Sequence, residues 1–339
     1  MTGLRHGGQL AAAAAHYRIP LHKWLDLSTG INPEGWPVPA LAAEVWQRLP
    51  DMNDGLDAVL ADWAGAPADA YCVPLPGSQA AIQLLPRLRA AARVGVPVPG
   101  YAEHAHRWRS AGHEVVELNS AVEVDIALPQ LDVLVLVQPN NPTGALWPAA
   151  QLRSWHQQLA TRGGWLVVDE AFMDPIAAPQ SLAGASGAPG LVVLRSLGKF
   201  FGLAGLRSGL ALTDRALGAA LAAELGPWAV SGPARSLVRQ AVADRTWQVQ
   251  TARNLQRAQA RLVHLLEQAG LTVAGSTPLF CYVPHPAAVF VADELARQGI
   301  LVRHWDAAEN GGQAALRFGL PPADAGQWQR LAQALRTIR

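Results

Sequence analysis

The feature that most constrains this chain is a regular alternation in its middle. Short apolar runs recur at VGVPVPG (94–100), EVVEL (114–118), LDVLVLVQPNNPTG (131–144), WLVVDEAF (165–172), LVVLRSLGKF (191–200) and LRSGLALTD (206–214). They are rich in β-branched residues and end in turn residues, as expected of strands buried on both faces. Helical patterns lie between them. In WPAAQLRSWHQQLATRG (147–163), Leu152, Trp155 and Leu159 recur at helical spacing before a stop at Gly163. Parallel strands need crossovers of about a dozen residues or more, and such helices supply them. The pattern therefore predicts an α/β fold with a mostly parallel central sheet.

The character changes after about residue 225. One long arginine-rich amphipathic helix is expected over 233–269. Strand-like pieces follow at LTVAG, PLFCYVP, GILVRHW and AALRFGL, with a helix near 290–298. This predicts a large α/β domain over 41–225. A smaller α+β domain would be built from 226–339 together with residues 1–40, a Gly- and Pro-rich stretch expected to be an irregular arm.

Composition excludes several roles. Half of the 339 residues are apolar, 16% are charged, and the net charge is +1. With no basic run, neither nucleic acid nor an anionic membrane is an expected partner. No apolar stretch approaches the ~20 residues that span a bilayer. The run LAAAAAHY (10–17) is broken by His16, Tyr17 and Arg18, with no cleavage site after it. Two cysteines, Cys72 and Cys281, form no disulfide framework and suit a reducing compartment. A cytoplasmic protein without a metal centre is expected.

Ligands of open α/β sheets gather at the carboxyl ends of the strands. Asn141 (in NNPTG), Asp169, Ser196 and Lys199 all fall just after strand-like runs. In PLPGSQAA (74–81), Gly77, Ser78 and Gln79 open a helix expected over 80–92, so their backbone N–H groups form a candidate phosphate cradle. Gly198-Lys199 is not a P-loop, because Val193 stands where that motif needs glycine. Lys199 is one of only two lysines among 27 basic residues, the other being Lys23. A primary amine can lose its proton and bond to a carbonyl, which a guanidinium cannot do. Asp169 lies 30 residues before Lys199 and Arg207 eight after it. An amine for an aldehyde, a carboxylate for a pyridine nitrogen, and a cation with N–H groups for a phosphate are what pyridoxal 5'-phosphate requires.

In order and spacing, these motifs resemble those of the fold type I aminotransferases over essentially the whole chain. The resemblance implies that Lys199 bonds the cofactor and moves protons, and that Asp169 keeps the pyridine nitrogen protonated. It also implies that Asn141 meets the ring's phenolic oxygen, that Tyr101 stacks on the ring, and that Ser196 and Arg207 bind its phosphate with the Gly77-Ser78-Gln79 backbone. Phe172, in DEAF, stands where many relatives have tyrosine, removing one hydrogen bond to the phenolic oxygen. RHGGQL (5–10) and LDLSTGINPEGWP (25–37) resemble the cobalamin-pathway threonine-phosphate decarboxylases. That likeness implies decarboxylation of O-phospho-L-threonine to (R)-1-aminopropan-2-ol O-phosphate by a homodimer. Arg317 would hold the substrate carboxylate, and Arg303, His6 and Asn32 its phosphate. A histidinol-phosphate-type aminotransferase and a non-catalytic subunit of a cobalamin-assembly complex are the alternatives. LPDMNDGLD (49–57) carries Asn53 and Asp54 where relatives often place a tyrosine that reaches the neighbouring subunit's cofactor phosphate.

Overall fold

The computed structural model describes residues 6–176 and 178–338; Arg5 of RHGGQL lies outside the described residues. Strand β1 (Leu25–Leu27) comes first. It is followed by β2 (Tyr71–Leu75), β3 (Arg93–Pro97), β4 (Glu114–Leu118), β5 (Val133–Val137), β6 (Trp165–Asp169), β7 (Leu191–Ser196) and β8 (Gly209–Thr213). The last four are β9 (Gly275–Thr277), β10 (Phe280–Pro284), β11 (Ile300–Trp305) and β12 (Ala315–Gly319).

β2 to β8 form one sheet in the order β2-β8-β7-β6-β5-β3-β4. Its inner pairs are parallel, whereas β8 runs antiparallel to both β7 and β2. The reversal follows from the connection. The loop 197–208 holds only a single turn of 3₁₀ helix, too little for a crossover, so the chain returns antiparallel. β5 is buried along its whole length and explains the unbroken apolar run in the sequence. Trp108, Ile82 and Leu221 cover one face of the sheet, and Leu152, Trp155 and Leu159 the other. The strand order switches direction between β3 and β5, the place where such sheets leave a crevice at their carboxyl ends.

The smaller sheet has the order β1-β11-β12-β10-β9. β1 joins it in parallel, with Leu25 opposite Ile300 and Leu27 opposite Val302. The first 40 residues are thus less irregular than expected. Leu10–Tyr17 forms a helix through its alanine run, the strongest helix former, and Tyr17 Oη donates to Asp293 Oδ1 at 2.6 Å. The expected helix over 233–269 is two helices, Gly232–Ala243 and Arg245–Gln268. Asp244 leaves the helical conformation at ψ 71° and caps the second helix by accepting from the Trp247 N–H at 3.0 Å. The helix expected over 80–92 starts at Ser78 and gives way to a 3₁₀ turn, Leu85–Leu88, which contains Pro86.

Candidate active site

Asp169 ends β6 and is buried. Its Oδ1 accepts from the Ala171 N–H at 3.1 Å, and its Oδ2 lies 3.0 Å from His104 Nε2. With a carboxylate as neighbour, Nε2 is the ring nitrogen that carries the proton. His104 was not identified from the sequence. The signal was there: it sits three residues after Tyr101 on the helix Ala102–Ser110, one turn along the same face. Tyr101 reaches the other way, donating from Oη to Gln79 Oε1 at 3.1 Å. Gln79 Nε2 donates to Glu103 Oε2 at 2.9 Å. Burial and the Glu103 and Asp169 carboxylates push the Tyr101 phenol well above its ordinary value. It stays a neutral donor.

Lys199 follows β7. Burial pushes its ε-amine down to about 8; the Arg317 and Arg207 guanidiniums act in the same direction and Asp169 opposes them. Its Nζ lies 5.5 Å from the centre of the Phe172 ring. Asn32 holds the same loop: its N–H donates to the Lys199 carbonyl at 3.0 Å and its Nδ2 to the Phe200 carbonyl at 2.9 Å. Its Oδ1 accepts from the Glu34 N–H at 2.9 Å. Both ends of this buried amide are engaged by backbone, so Asn32 supports the lysine loop.

Ser196 sits opposite Gly209 across the β7–β8 pair, and Leu75 sits opposite the same glycine from β2. This register brings Ser196 and the Gly77-Ser78 turn together. Arg207 closes on that turn. Gly77 has φ +80°, and a Cβ there would meet Arg207 Nη2 at 2.7 Å, so only glycine lets the guanidinium approach. The site thus combines a backbone turn, a hydroxyl and a guanidinium in one cradle.

Asn141 follows β5 and accepts from Arg317 Nη1 through its Oδ1. The neighbouring Asn140 donates from Nδ2 to the Pro99 carbonyl at 2.9 Å and to Thr143 Oγ1 at 2.8 Å, tying the NNPTG turn to the Tyr101 segment. Arg317, on β12, is buried and also donates from Nη2 to the Ser28 carbonyl at 2.8 Å. Burial, then the nearby Arg303 charge, pushes its guanidinium down to about 9. Arg317 stands directly opposite Arg303 of β11. Phe172 is buried edge-on to Phe280 at 5.1 Å, and the Gly30 backbone approaches both rings.

Two expected residues are placed differently from the rest. His6 Nε2 pairs with Glu103 at 3.0 Å, which puts it beside Tyr101, their rings 6.3 Å apart. Asp54 is paired with Arg235 and, at 3.2 Å, with Arg239. Partial burial pushes its carboxyl up, but the Arg235 hydrogen bond, the Leu56 N–H and the charges of Arg235 and Arg239 together hold it below the usual range. A carboxylate would repel a phosphate in any case, and this one is committed to two arginines.

The profile of the aminotransferase class I and II family matches residues 24–335. This chain belongs to that family. It is 51% identical over 333 residues to a threonine-phosphate decarboxylase of Pseudomonas aeruginosa, covering 98% of this chain and 97% of that protein. A threonine-phosphate decarboxylase of a Sinorhizobium species is 42% identical, with 97% of each chain covered. Among solved structures, histidinol-phosphate aminotransferase of Sinorhizobium meliloti in complex with pyridoxal-5'-phosphate superposes with a TM-score of 0.84 at 20% identity, over 99% of this chain and 98% of that one. The likeness confirms fold type I. The residues present also fit the family's cofactor: a glycine-cleared guanidinium cradle, a buried carboxylate at a strand end, and a lysine whose amine is set to lose its proton.

Proposed function

We propose that this chain is a cytoplasmic pyridoxal-phosphate decarboxylase acting on O-phospho-L-threonine in cobalamin biosynthesis, with (R)-1-aminopropan-2-ol O-phosphate as product. The observation that carries the reading is the Arg303–Arg317 pair. Like charges directly opposite in a sheet destabilise it, so two arginines so placed are there for anions. The substrate brings two, a carboxylate and a phosphate. The two decarboxylase relatives support the choice over other phosphorylated amines.

When bound, pyridoxal phosphate supplies an aldehyde for the substrate's amine and a ring that takes up the electron pair left by carbon dioxide. The protein's residues set up the rest. Asp169, oriented by His104, holds a proton at the pyridine nitrogen. Ser196, Arg207 and the Gly77-Ser78-Gln79 turn hold the cofactor phosphate, and Tyr101, anchored by Gln79, stacks on the ring. Asn141 meets the phenolic oxygen while its other contact fixes Arg317, so one amide links cofactor and substrate positions. Phe172 lines the ring without donating to it. Lys199, its pKa lowered, would be the residue that bonds the cofactor's aldehyde and, as the ammonium once released, would return a proton to the α-carbon. Arg317 holds the substrate carboxylate and Arg303, with His6, its phosphate. Fixing both anions would set which bond at the α-carbon is aligned to break, and so would select decarboxylation.

The working form is a homodimer. Trp46 (67% exposed), Leu49 (69%) and Met52 (48%) form an apolar stretch beside Asn53 and Asp54, and a second copy of the chain is the cover we assign to it. Light scattering of the purified protein should give twice the chain mass; a monomer at micromolar concentration would contradict this. Incubation with O-phospho-L-threonine and pyridoxal phosphate should release carbon dioxide. Glutamate formation from 2-oxoglutarate and histidinol phosphate, without carbon dioxide, would instead assign an aminotransferase.

A further inference from the structure

One buried carboxylate beside the site has no part in the decarboxylase reading. Glu103 stands in the first turn of the helix Ala102–Ser110, yet its side chain is only 8% exposed. An acidic group there suits the positive end of the helix, but it would do so equally well in water. Burial has to be matched by donors. Among the described residues, three segments supply them. Arg107 Nε, one turn along the same helix, donates to Oε2 at 3.1 Å, and Gln79 Nε2 donates to the same oxygen at 2.9 Å. His6 Nε2, from the N-terminal arm, lies 3.0 Å from Oε1. Burial alone would push the carboxyl up; Arg107, Gln79 and His6 outweigh it and hold it below the usual carboxylate range.

We propose that Glu103 is a positioning residue for the cofactor ring, acting through Gln79 on Tyr101. The inference rests on the reading that Tyr101 stacks on that ring. An ionised carboxylate only accepts hydrogen bonds. Gln79 must therefore turn its NH2 group toward Glu103, which leaves Oε1 for the Tyr101 hydroxyl at 3.1 Å. Reversing the amide would set its carbonyl oxygen against the carboxylate. The charge on Glu103 thus settles the direction of both hydrogen bonds and holds the phenol by its far end. A ring held in this way costs less to order when the cofactor docks against it. Gln79 also belongs to the Gly77-Ser78-Gln79 turn assigned to the cofactor phosphate. One carboxylate therefore ties the stacking ring to the phosphate cradle, and His6 brings the N-terminal arm to the same point.

The test titrates cofactor-free protein with pyridoxal phosphate and follows the visible band, with Tyr101→Ala as the reference for lost stacking. Glu103→Gln keeps the shape but can offer its own NH2 group and let the Gln79 amide reverse. It should raise Kd for the cofactor about tenfold, the scale of a hydrogen bond to a charged group. Gln79→Ala should do the same. The double variant should be no worse than Gln79→Ala alone, because the two residues act in one chain. Arg107→Ala removes an exposed cation but keeps the Gln79 contact, and Kd should stay within about threefold. The band of the bound cofactor should shift in Glu103→Gln and not in Arg107→Ala. An unchanged Kd in Glu103→Gln beside a weakened Tyr101→Ala would overturn the proposal. So would additive losses in the double variant, or an equal loss in Arg107→Ala, which would make Glu103 a support for its own helix. If Tyr101→Ala binds the cofactor normally, the stacking reading fails and the proposal falls with it. No substrate enters these measurements, so they hold whichever phosphorylated amine the site takes.

Discussion

Lys199 gives the sharpest quantitative prediction. Burial and the charges of Arg317 and Arg207 move its amine from 10.5 to about 8. That is a drop of about 2.5 pH units, or roughly 3.4 kcal/mol at 1.36 kcal/mol per unit. At pH 7 about one amine in ten is then neutral, against roughly one in three thousand for an ordinary lysine. The neutral amine is the form that attacks an aldehyde. Cofactor-free protein mixed with pyridoxal phosphate and trapped with borohydride at intervals should therefore show a capture rate that rises with pH and levels off just above 8. Only one other lysine, the exposed Lys23, is present to compete, so Lys199→Ala gives a clean background. Unfolding returns the amine to its ordinary value. Between pH 8 and 10.5 the unfolded chain binds the extra proton, so the stability of the cofactor-free protein should rise with pH across that window and lose this contribution below it. A capture profile still climbing at pH 10 would refute the reasoning, since it would mean a solvated amine.

Three further outcomes follow from the same geometry. Arg317→Ala should raise KM at least ~30-fold while retaining cofactor, and should shift the Lys199 capture profile to higher pH, because a cation that depresses the amine is gone. Loss of cofactor with KM unchanged would reverse the assignment. Arg195 is buried between Glu170, at 3.1 Å, and Asp174. Arg195→Met would leave two buried carboxylates without their cation, and urea unfolding should show a loss of about 3–5 kcal/mol; a loss under 1 kcal/mol would contradict this. Trp46→Asp, on the exposed apolar stretch, should halve the mass seen by light scattering, and an unchanged mass would place the subunit contact elsewhere.

The sequence disclosed the fold through its strands. Runs such as Val133–Val137 and Leu166–Val168 are apolar on both faces because both faces are covered, and that signal needs no tertiary knowledge. The placement of Lys199, Asp169 and Asn141 at strand ends was legible for the same reason. What the sequence hid depended on contacts between distant segments. The Asp169–His104 pair joins residues that only the sheet order brings together. Asn32 read as a contact for substrate phosphate, and its ties to the lysine loop, through its backbone N–H and its amide nitrogen, were not visible in the sequence. The helix break at Asp244 was masked by arginine-rich amphipathic spacing continuing on either side, and was set by a local cap. Arg303 and Arg317 were both visible, but their direct opposition is a matter of strand register.

The most direct test of the whole account is product analysis with O-phospho-L-threonine. The purified protein with pyridoxal phosphate should release one carbon dioxide for each 1-aminopropan-2-ol phosphate formed, and Lys199→Ala should release none. Conversion of the substrate to a 2-oxo acid without carbon dioxide would contradict it, because the two arginines would then be orienting a different bond.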